Sequence, residues 1–286
     1  NLYFFILMKV LAIESSCDDT SIAVINDQKN IDFLETINHR KFHQKHGGVI
    51  PEMAARQHLD ILNLFKTKIN KINFSTIDAI ASTYGPGLIG GLIVGSSFAK
   101  GLSISQNKKL IPINHLQAHL LSPRLTNDIK FPYLCLLVSG GNTALVLVKN
   151  PSSFVTLGST IDDSAGECFD KVAKALGMGY PGGPAIEKLA MKGDLKSFSL
   201  PMPLTKIKNC DFSFSGLKTA AIDVIKKNKN NKKFLYNFSA SFQYTVGEIF
   251  KKKILNALEN LNRENIEIKD FSICGGVAAN KYLNNL

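Results

Sequence analysis

Two stretches of this 286-residue chain repeat one pattern, and that repetition constrains the fold more than any other feature. Leu134 to Val148 reads Leu-Cys-Leu-Leu-Val-Ser-Gly-Gly-Asn-Thr-Ala-Leu-Val-Leu-Val, two apolar runs around a short polar break. Lys9 to Ile25 does the same, with Asp19-Thr20 in the place of Asn142-Thr143 and Ile22-Ala23-Val24-Ile25 in the place of Leu145 to Val148. Each stretch reads as a β-hairpin, and in the second Gly140 and Gly141 would supply positive φ to a tight turn. Such a turn also makes a backbone concavity that a phosphate can approach, although a plain turn without a ligand is the competing reading. One device used twice at this separation argues for two similar lobes, each begun by a hairpin, and against a solenoid of short units.

A hydrophobic fraction of 45% excludes a disordered chain and is enough for one large core or two lobes. Lys and Arg outnumber Asp and Glu by 34 to 23, a net charge of +11 that suits a polyanionic partner; a compositional bias toward surface Lys and Asn explains it equally well. Five cysteines, an odd number with no Cys-x-x-Cys pair, point to a reducing cytoplasm. Asn1 to Leu7 precede Met8 in an apolar run too short to span a bilayer and without the features of a secretory signal. They read as an upstream or non-native extension, and no membrane anchor is expected.

Along the chain, His39, His43 and His46 have helical spacing, but they lead into Gly47-Gly48 without apolar support, so a solvated or partner-facing loop is favoured over a metal cluster. Pro51 suits the first turn of a helix whose buried stripe would be Leu59, Leu62, Phe65, Ile69 and Ile72. Asp78 to Thr83 reads as a buried strand running into Tyr84-Gly85-Pro86-Gly87-Leu88-Ile89-Gly90-Gly91 and a helix through Phe98. That arrangement resembles a phosphate loop but lacks Gly-Lys-Ser/Thr, and close packing explains the glycines equally well.

After a strand at Leu110 to Ile113, His115 and His119 open a helix at i and i+4, on one face and within reach of a single divalent ion. The alternative is a pair of histidines that cap and pack the helix. There is no His-Glu-x-x-His, so the zinc-protease arrangement is absent, and a metal would need a third ligand from elsewhere. Phe169, Val172, Ala173 and Leu176 form an apolar helix face, on which Glu167 with Lys171 and Asp170 with Lys174 would be ordinary ion pairs. Tyr180 to Pro184 starts a helix whose N–H groups could face a ribose or phosphate. The lysine and asparagine run from Lys226 to Lys233 reads as a solvated loop, with phosphate contact the lesser alternative. A long helix follows with Leu235, Phe238, Phe242, Val246 and Ile249 on one stripe, and Phe271 to Asn280 is strand, double glycine and helix start.

Ten segments together resemble a known family. They are Glu14-Ser15-Ser16-Cys17-Asp18-Asp19-Thr20, Gly48-Val49-Ile50-Pro51-Glu52, Gly85-Pro86-Gly87-Leu88, His115 with His119, Val138-Ser139-Gly140-Gly141-Asn142-Thr143, Asp162 to Glu167, Phe169-Asp170-Lys171, Gly182-Gly183-Pro184, Phe212 to Lys218 and Gly275-Gly276-Val277-Ala278-Ala279-Asn280. In this order they are similar to the tRNA N6-adenosine threonylcarbamoyltransferases, formerly described as O-sialoglycoprotein endopeptidases. The resemblance implies an α/β, two-lobed architecture of the actin, sugar-kinase and Hsp70-like (ASKHA) type. Residues 8–130 would form the N-terminal lobe and residues 131–286 an incomplete C-terminal lobe that lacks its last strand and helix.

The same resemblance implies a cytoplasmic transferase that moves a threonylcarbamoyl group from threonylcarbamoyl-adenylate to N6 of adenosine 37 in tRNAs reading codons that begin with A. Leu137, Val138, Ser139, Gly140, Gly141, Asp170, Gly183, Glu187 and Asn280 would bind the adenylate. His115 and His119 would hold one divalent metal, iron with zinc as the alternative. The third metal ligand of the family, an aspartate, would lie beyond Leu286, so a weakened metal site and impaired activity are expected of this chain. No catalytic nucleophile is assigned, because the mixed anhydride is already activated. Implied partners are tRNA, a paralogous TsaB-like subunit and a TsaE-like ATPase. The competing readings are a non-catalytic protein that binds tRNA or its paralogue, an ASKHA small-molecule kinase, and a metalloprotease.

Overall fold

A computed structural model of the chain describes residues 8–39, 42–43, 48–228 and 231–285. The expected extension at residues 1–7 lies outside them. The chain divides into two compact units, Asn1–Ala118 and His119–Leu286. The division falls earlier than the expected 130/131 boundary because the segment after Ala118 is tied to the second sheet. The Tyr133 hydroxyl donates to the Leu120 carbonyl at 2.7 Å, and the 3₁₀ turn Ser122–Leu125 packs on the strand Asp270–Cys274.

In the first unit, strands β1 (Lys9–Glu14), β2 (Asp19–Asn26), β3 (Ile31–Asn38), β4 (Ala79–Gly85) and β5 (Lys109–Asn114) form one sheet in the order β3-β2-β1-β4-β5. The expected hairpin is β1 with β2, antiparallel from Lys9 opposite Asn26 to Glu14 opposite Ser21. β4 runs parallel to β1 and β5 parallel to β4, so both joins need crossovers. These carry α1 (Pro51–Ile69) and α2 (Ile89–Ser105). β2 alternates buried and half-buried residues along its whole length, as a strand with one core face should.

Pro51 stands in the first turn of α1, where its missing N–H costs nothing. The buried face of that helix differs from the expected stripe. Leu59 is 54% exposed and Ile72 lies past the helix end, while Ala54, His58 and Ile61 join Leu62, Phe65 and Ile69 inside. The cause is His58, whose ring turns inward to Thr20 of β2 and to the Cys17 carbonyl in the turn before it and sets the helix's rotation. A short helix α3 (His115–Leu121) follows β5, and the Asn114 carboxamide starts it by accepting the N–H groups of Leu116 at 2.9 Å and Gln117 at 3.1 Å.

The second unit holds β6 (Tyr133–Val138), β7 (Thr143–Asn150), β8 (Ser153–Ser159) and β9 (Asp270–Cys274) in the order β8-β7-β6-β9. β6 pairs antiparallel with β7 and parallel with β9, and all of its residues are buried, which is why its sequence shows no alternation. Helices α4 (Ala165–Ala175), α5 (Gly182–Ala190), α6 (Ser215–Lys227), α7 (Lys232–Arg263) and α8 (Lys281–Asn284) complete the unit. The core is aromatic: Phe169 meets Phe242 edge-on at 5.1 Å, and Phe234, Phe238 and Phe242 stack along α7 at helical spacing. Lys253 of α7 is fully buried and donates to the Leu204 and Asn209 carbonyls and to Asn209 Oδ1, at 2.8 to 3.1 Å, pinning the loop before α6. Among the described residues no helix is long and apolar enough to cross a membrane.

Candidate functional site

The residues singled out by sequence fall into two groups, one in the second unit and one around α3. In the second unit the turn between β6 and β7 is closed by Ser139, whose N–H donates to the Asn142 carbonyl at 2.8 Å and whose Oγ accepts the Asn142 N–H at 3.0 Å. Gly140 and Gly141 do not have positive φ, contrary to expectation, because the serine hydroxyl closes a four-residue loop without a left-handed position. What these glycines provide is room, since a Cβ built on either would meet nothing within 4 Å.

The start of α4 and the end of β9 are pressed against this turn. Ser164 caps α4 by accepting the Glu167 N–H at 3.1 Å and donates its own hydroxyl to the Gly140 carbonyl at 2.5 Å. Gly166 then presses so close that a Cβ there would stand 2.4 Å from the Ser139 carbonyl oxygen. On the other flank Gly275, at φ +95, leaves β9 with its α-carbon against Val138, where a Cβ would lie 2.3 Å from the carbonyl oxygen. Asp170 accepts the Gly182 N–H at 2.6 Å and so fixes the N-terminus of α5 beside α4. Asp170 thus ties α4 to α5, and Glu167 pairs with Lys171 at 2.7 Å. Gly183, next in α5, again faces open space.

Glu187 and Asn280 close the arrangement. Glu187 accepts the Lys281 N–H at 2.7 Å, and Asn280 caps α8 by accepting the Leu283 N–H at 3.0 Å. The Asn280 amide donates to buried Gln243 of α7 at 2.7 Å, a residue the sequence pattern did not mark because it sits within an apolar helix face. Asp170 is thereby tied to the start of α5, and Glu187 to the start of α8 beside Asn280. Beside them, the Asp162 carboxylate caps α6 through the Phe214 and Ser215 N–H groups. The carboxyl of Asp163 is held below the usual carboxylate range: burial alone would raise it, but Lys218 at 2.5 Å and Lys171 at 3.3 Å outweigh that.

In the first unit the end of β1 is bound to the start of α3. Glu14 accepts the Ser16 N–H at 2.6 Å, the Thr83 hydroxyl, and His115 Nδ1 at 3.3 Å. Burial would raise its carboxyl, yet the hydrogen bonds with His115, Ser16 and Thr83 lower it to about 2. For His115, burial would lower the ring, and the bonds with Cys17 and Glu14 raise it to about 9. His119 lies one turn further along α3. The loop carrying Ser15 and Ser16 is packed on glycines of α2 and the turn before it. A Cβ at Gly87 would stand 2.6 Å from Ser16 O, at Gly91 2.3 Å from Ser15 O, and at Gly95 1.9 Å from Ser15 Oγ. Gly87, Gly90 and Gly91 therefore serve close packing.

His39 and His43 are buried, at 3% and 0% exposure, where a solvated loop was expected; His46 lies outside the described residues. Thr20 holds His39, since its hydroxyl lies 2.9 Å from His39 Nε2 and 2.8 Å from His58 Nδ1, and His58 Nε2 donates to the Cys17 carbonyl. Burial, with the neighbouring His58 and His43, lowers His39 to about 4. Among the described residues no group of three His, Cys, Asp or Glu is placed to hold a metal ion. All five cysteines are free thiols.

Residues 33–286 match the family model described as TsaD: tRNA N6-adenosine threonylcarbamoyltransferase. A protein of that name from Wolbachia sp. subsp. Brugia malayi (strain TRS) is 46% identical over 277 residues, 96% of this chain and 82% of the relative. The chain belongs to the tRNA N6-adenosine threonylcarbamoyltransferase family. A second member, from Orientia tsutsugamushi (strain Boryong), is 47% identical over 96% of this chain and 83% of its own length. Solved structures show the shared fold. A ROK family protein from Streptococcus pneumoniae TIGR4 aligns over 97% of this chain and 84% of its own at TM-score 0.52 and 13% identity. Component A of (R)-2-hydroxyglutaryl-CoA dehydratase from Acidaminococcus fermentans aligns over 97% and 86% at TM-score 0.51 and 14% identity. The fold is thus the expected ASKHA type, with two mixed sheets and their helices. As a threonylcarbamoyltransferase the chain is an enzyme of tRNA modification, and nothing favours the kinase, protease or non-catalytic alternatives.

Proposed function

We propose that this threonylcarbamoyltransferase takes threonylcarbamoyl-adenylate as donor and adenosine 37 of tRNAs reading codons that begin with A as acceptor. The observation that carries the donor assignment is the group of open glycines, Gly140, Gly141 and Gly183, backed by Gly166 and Gly275 and oriented through Asp170. Backbone that can be approached without a side chain in the way, next to the N-terminus of α5, suits a phosphate ester. Leu137 to Gly141, Asp170, Gly183, Glu187 and Asn280 would bind the adenylate. The N6 amine attacks the carbamoyl carbon, the bond to the phosphate oxygen breaks, AMP leaves and the amine loses its proton, so no covalent enzyme intermediate is needed. Binding and orientation are what this chain must supply.

The family is metal-dependent. His115 and His119, two imidazoles one turn apart on α3, fit a divalent ion, and the hydrogen bonds of His115 Nδ1 to Glu14 and Ser16 match the way ligating histidines are usually held. Iron, or zinc in its place, would supply Lewis-acid polarisation there. The positive charge of the chain suits the tRNA backbone. A TsaB-like paralogue, a TsaE-like ATPase and a cytoplasmic setting complete the reading, the last supported by the free thiols.

Single-turnover transfer to tRNA from synthetic adenylate tests it. His115→Ala or His119→Ala should lower the rate roughly 100-fold or more with the thermal midpoint retained. Undiminished transfer in both variants would remove the metal assignment, and absence of adenylate binding by the parent chain would remove the donor assignment.

A further inference from the structure

Glu14 has every mark of a residue held in place for the sake of another. It ends β1, and three donors from three separate elements converge on its carboxylate: the Ser16 N–H, the Thr83 hydroxyl of β4 and the His115 ring at the start of α3. The loop that follows cannot shift, because Ser15 and Ser16 are wedged against Gly87, Gly91 and Gly95, Ser15 Oγ donates to the Gly91 carbonyl at 2.9 Å, and the Leu88 N–H donates to Ser16 O at 2.7 Å. Ser16 Oγ also lies 2.9 Å from His115 Nδ1. A hydroxyl alone would leave the ring undecided, since it can donate or accept. A carboxylate with no proton of its own only accepts, so the nitrogen it faces is the one that carries hydrogen.

We propose that Glu14 is the positioning residue of the metal centre: it receives His115 Nδ1–H and thereby commits His115 to bind a divalent cation through Nε2. This rests on the reading that His115 and His119 hold the metal. The role differs from ligation, because Glu14 is spent on Ser16, Thr83 and His115 and acts through the ring. Thr83 and the Ser16 N–H keep the carboxylate aimed, and the glycines of α2 keep the loop still.

Zn²⁺ alone is the probe, added to the purified full chain and to Glu14→Ala, Glu14→Gln, His115→Ala and His119→Ala, with affinity read by competition against a chelating dye. Glu14→Ala should bind Zn²⁺ about 10–100-fold more weakly, with Glu14→Gln, which keeps an acceptor oxygen, recovering part of the loss. In ¹⁵N-imidazole spectra of the Zn²⁺-loaded parent chain, His115 should be metal-bound at Nε2 with hydrogen on Nδ1, and Glu14→Ala should lose that single state. A residue that only stabilised the loop would lower the thermal midpoint without changing which nitrogen binds. Coordination through Nδ1 in the parent chain, or affinity in Glu14→Ala within twofold of the parent while His115→Ala loses binding, would overturn the proposal. Unchanged affinity in both histidine variants would instead overturn the metal reading, and the role of Glu14 with it.

Discussion

The two hairpins of this chain start from one sequence pattern and end as different parts. In the first unit, the turn after β1 is filled: Ser15 and Ser16 lie against glycines of the following elements, Glu14 is surrounded by donors, and His58 bonds the Cys17 carbonyl. In the second unit the corresponding turn is empty on one side, with Gly140 and Gly141 facing open space and its support coming from beneath, through Gly166 and Gly275. The glycines have changed places. In the first unit they belong to the packing partner and let the turn be buried; in the second they belong to the turn and leave its backbone uncovered. A repeated topology, β3-β2-β1-β4 against β8-β7-β6-β9, therefore carries a packed turn once and an open one once.

This contrast can be broken by adding one methyl group at a time. Gly95→Ala would place Cβ 1.9 Å from Ser15 Oγ, and Gly91→Ala 2.3 Å from the Ser15 carbonyl oxygen. Each should cost about 1–3 kcal/mol in stability, and more where backbone has to move. Gly141→Ala meets nothing, so its stability should stay within about 0.5 kcal/mol of the parent while adenylate affinity falls. Chemical denaturation and a binding titration on the three variants decide it. Equal stabilities would mean that the two turns are not differently packed.

The next largest effect is a pH dependence confined to the first unit. His39 is lowered to about 4 by burial and by His58 and His43, Thr20 occupies its Nε2, and Glu14 and Asp18 act on the neighbouring His58 in the opposite sense. With a folded value below the unfolded one near 6.5, the unfolded chain binds the extra proton between about pH 6.5 and 4. Stability must then rise with pH across that window and be lost as pH falls through it, by on the order of 3 kcal/mol at most. His39→Gln should flatten the slope of unfolding free energy between pH 4 and 6.5. An unchanged slope would assign acid sensitivity to other groups.

The hairpins and the strand and helix order were legible because each depends on local pattern or on motif order. What was not legible depends on contacts between residues far apart. Glu14 meets Thr83 and His115 across separations of 69 and 101 residues, and Thr20 meets His39 and His58 across 19 and 38. No periodicity records such pairs. The rotation of α1 was missed for the same reason, since a histidine with partners in β2 and in the turn before it outweighed Leu59 for the inward position. The turn at Ser139 to Asn142 shows a different limit, in that glycine implies freedom of φ and the chain used only its lack of a side chain.

The smallest effects lie on α4, where two acidic residues three apart separate cradle from surface. Asp170 holds the Gly182 N–H at 2.6 Å, whereas Glu167 is paired with Lys171 in a half-exposed i to i+4 bridge. Asp170→Ala frees the start of α5, so KM for the adenylate should rise roughly tenfold with a stability loss of about 1 kcal/mol, the size of a lost helix cap. Glu167→Gln removes an ion pair worth about 0.2–0.5 kcal/mol and should leave KM unchanged. Were both substitutions to raise KM alike, the distinction would fail, and the charge on this helix rather than the bond to Gly182 would be what the donor feels. Were Asp170→Ala to change stability alone, Asp170 would be a cap for α5 and nothing more.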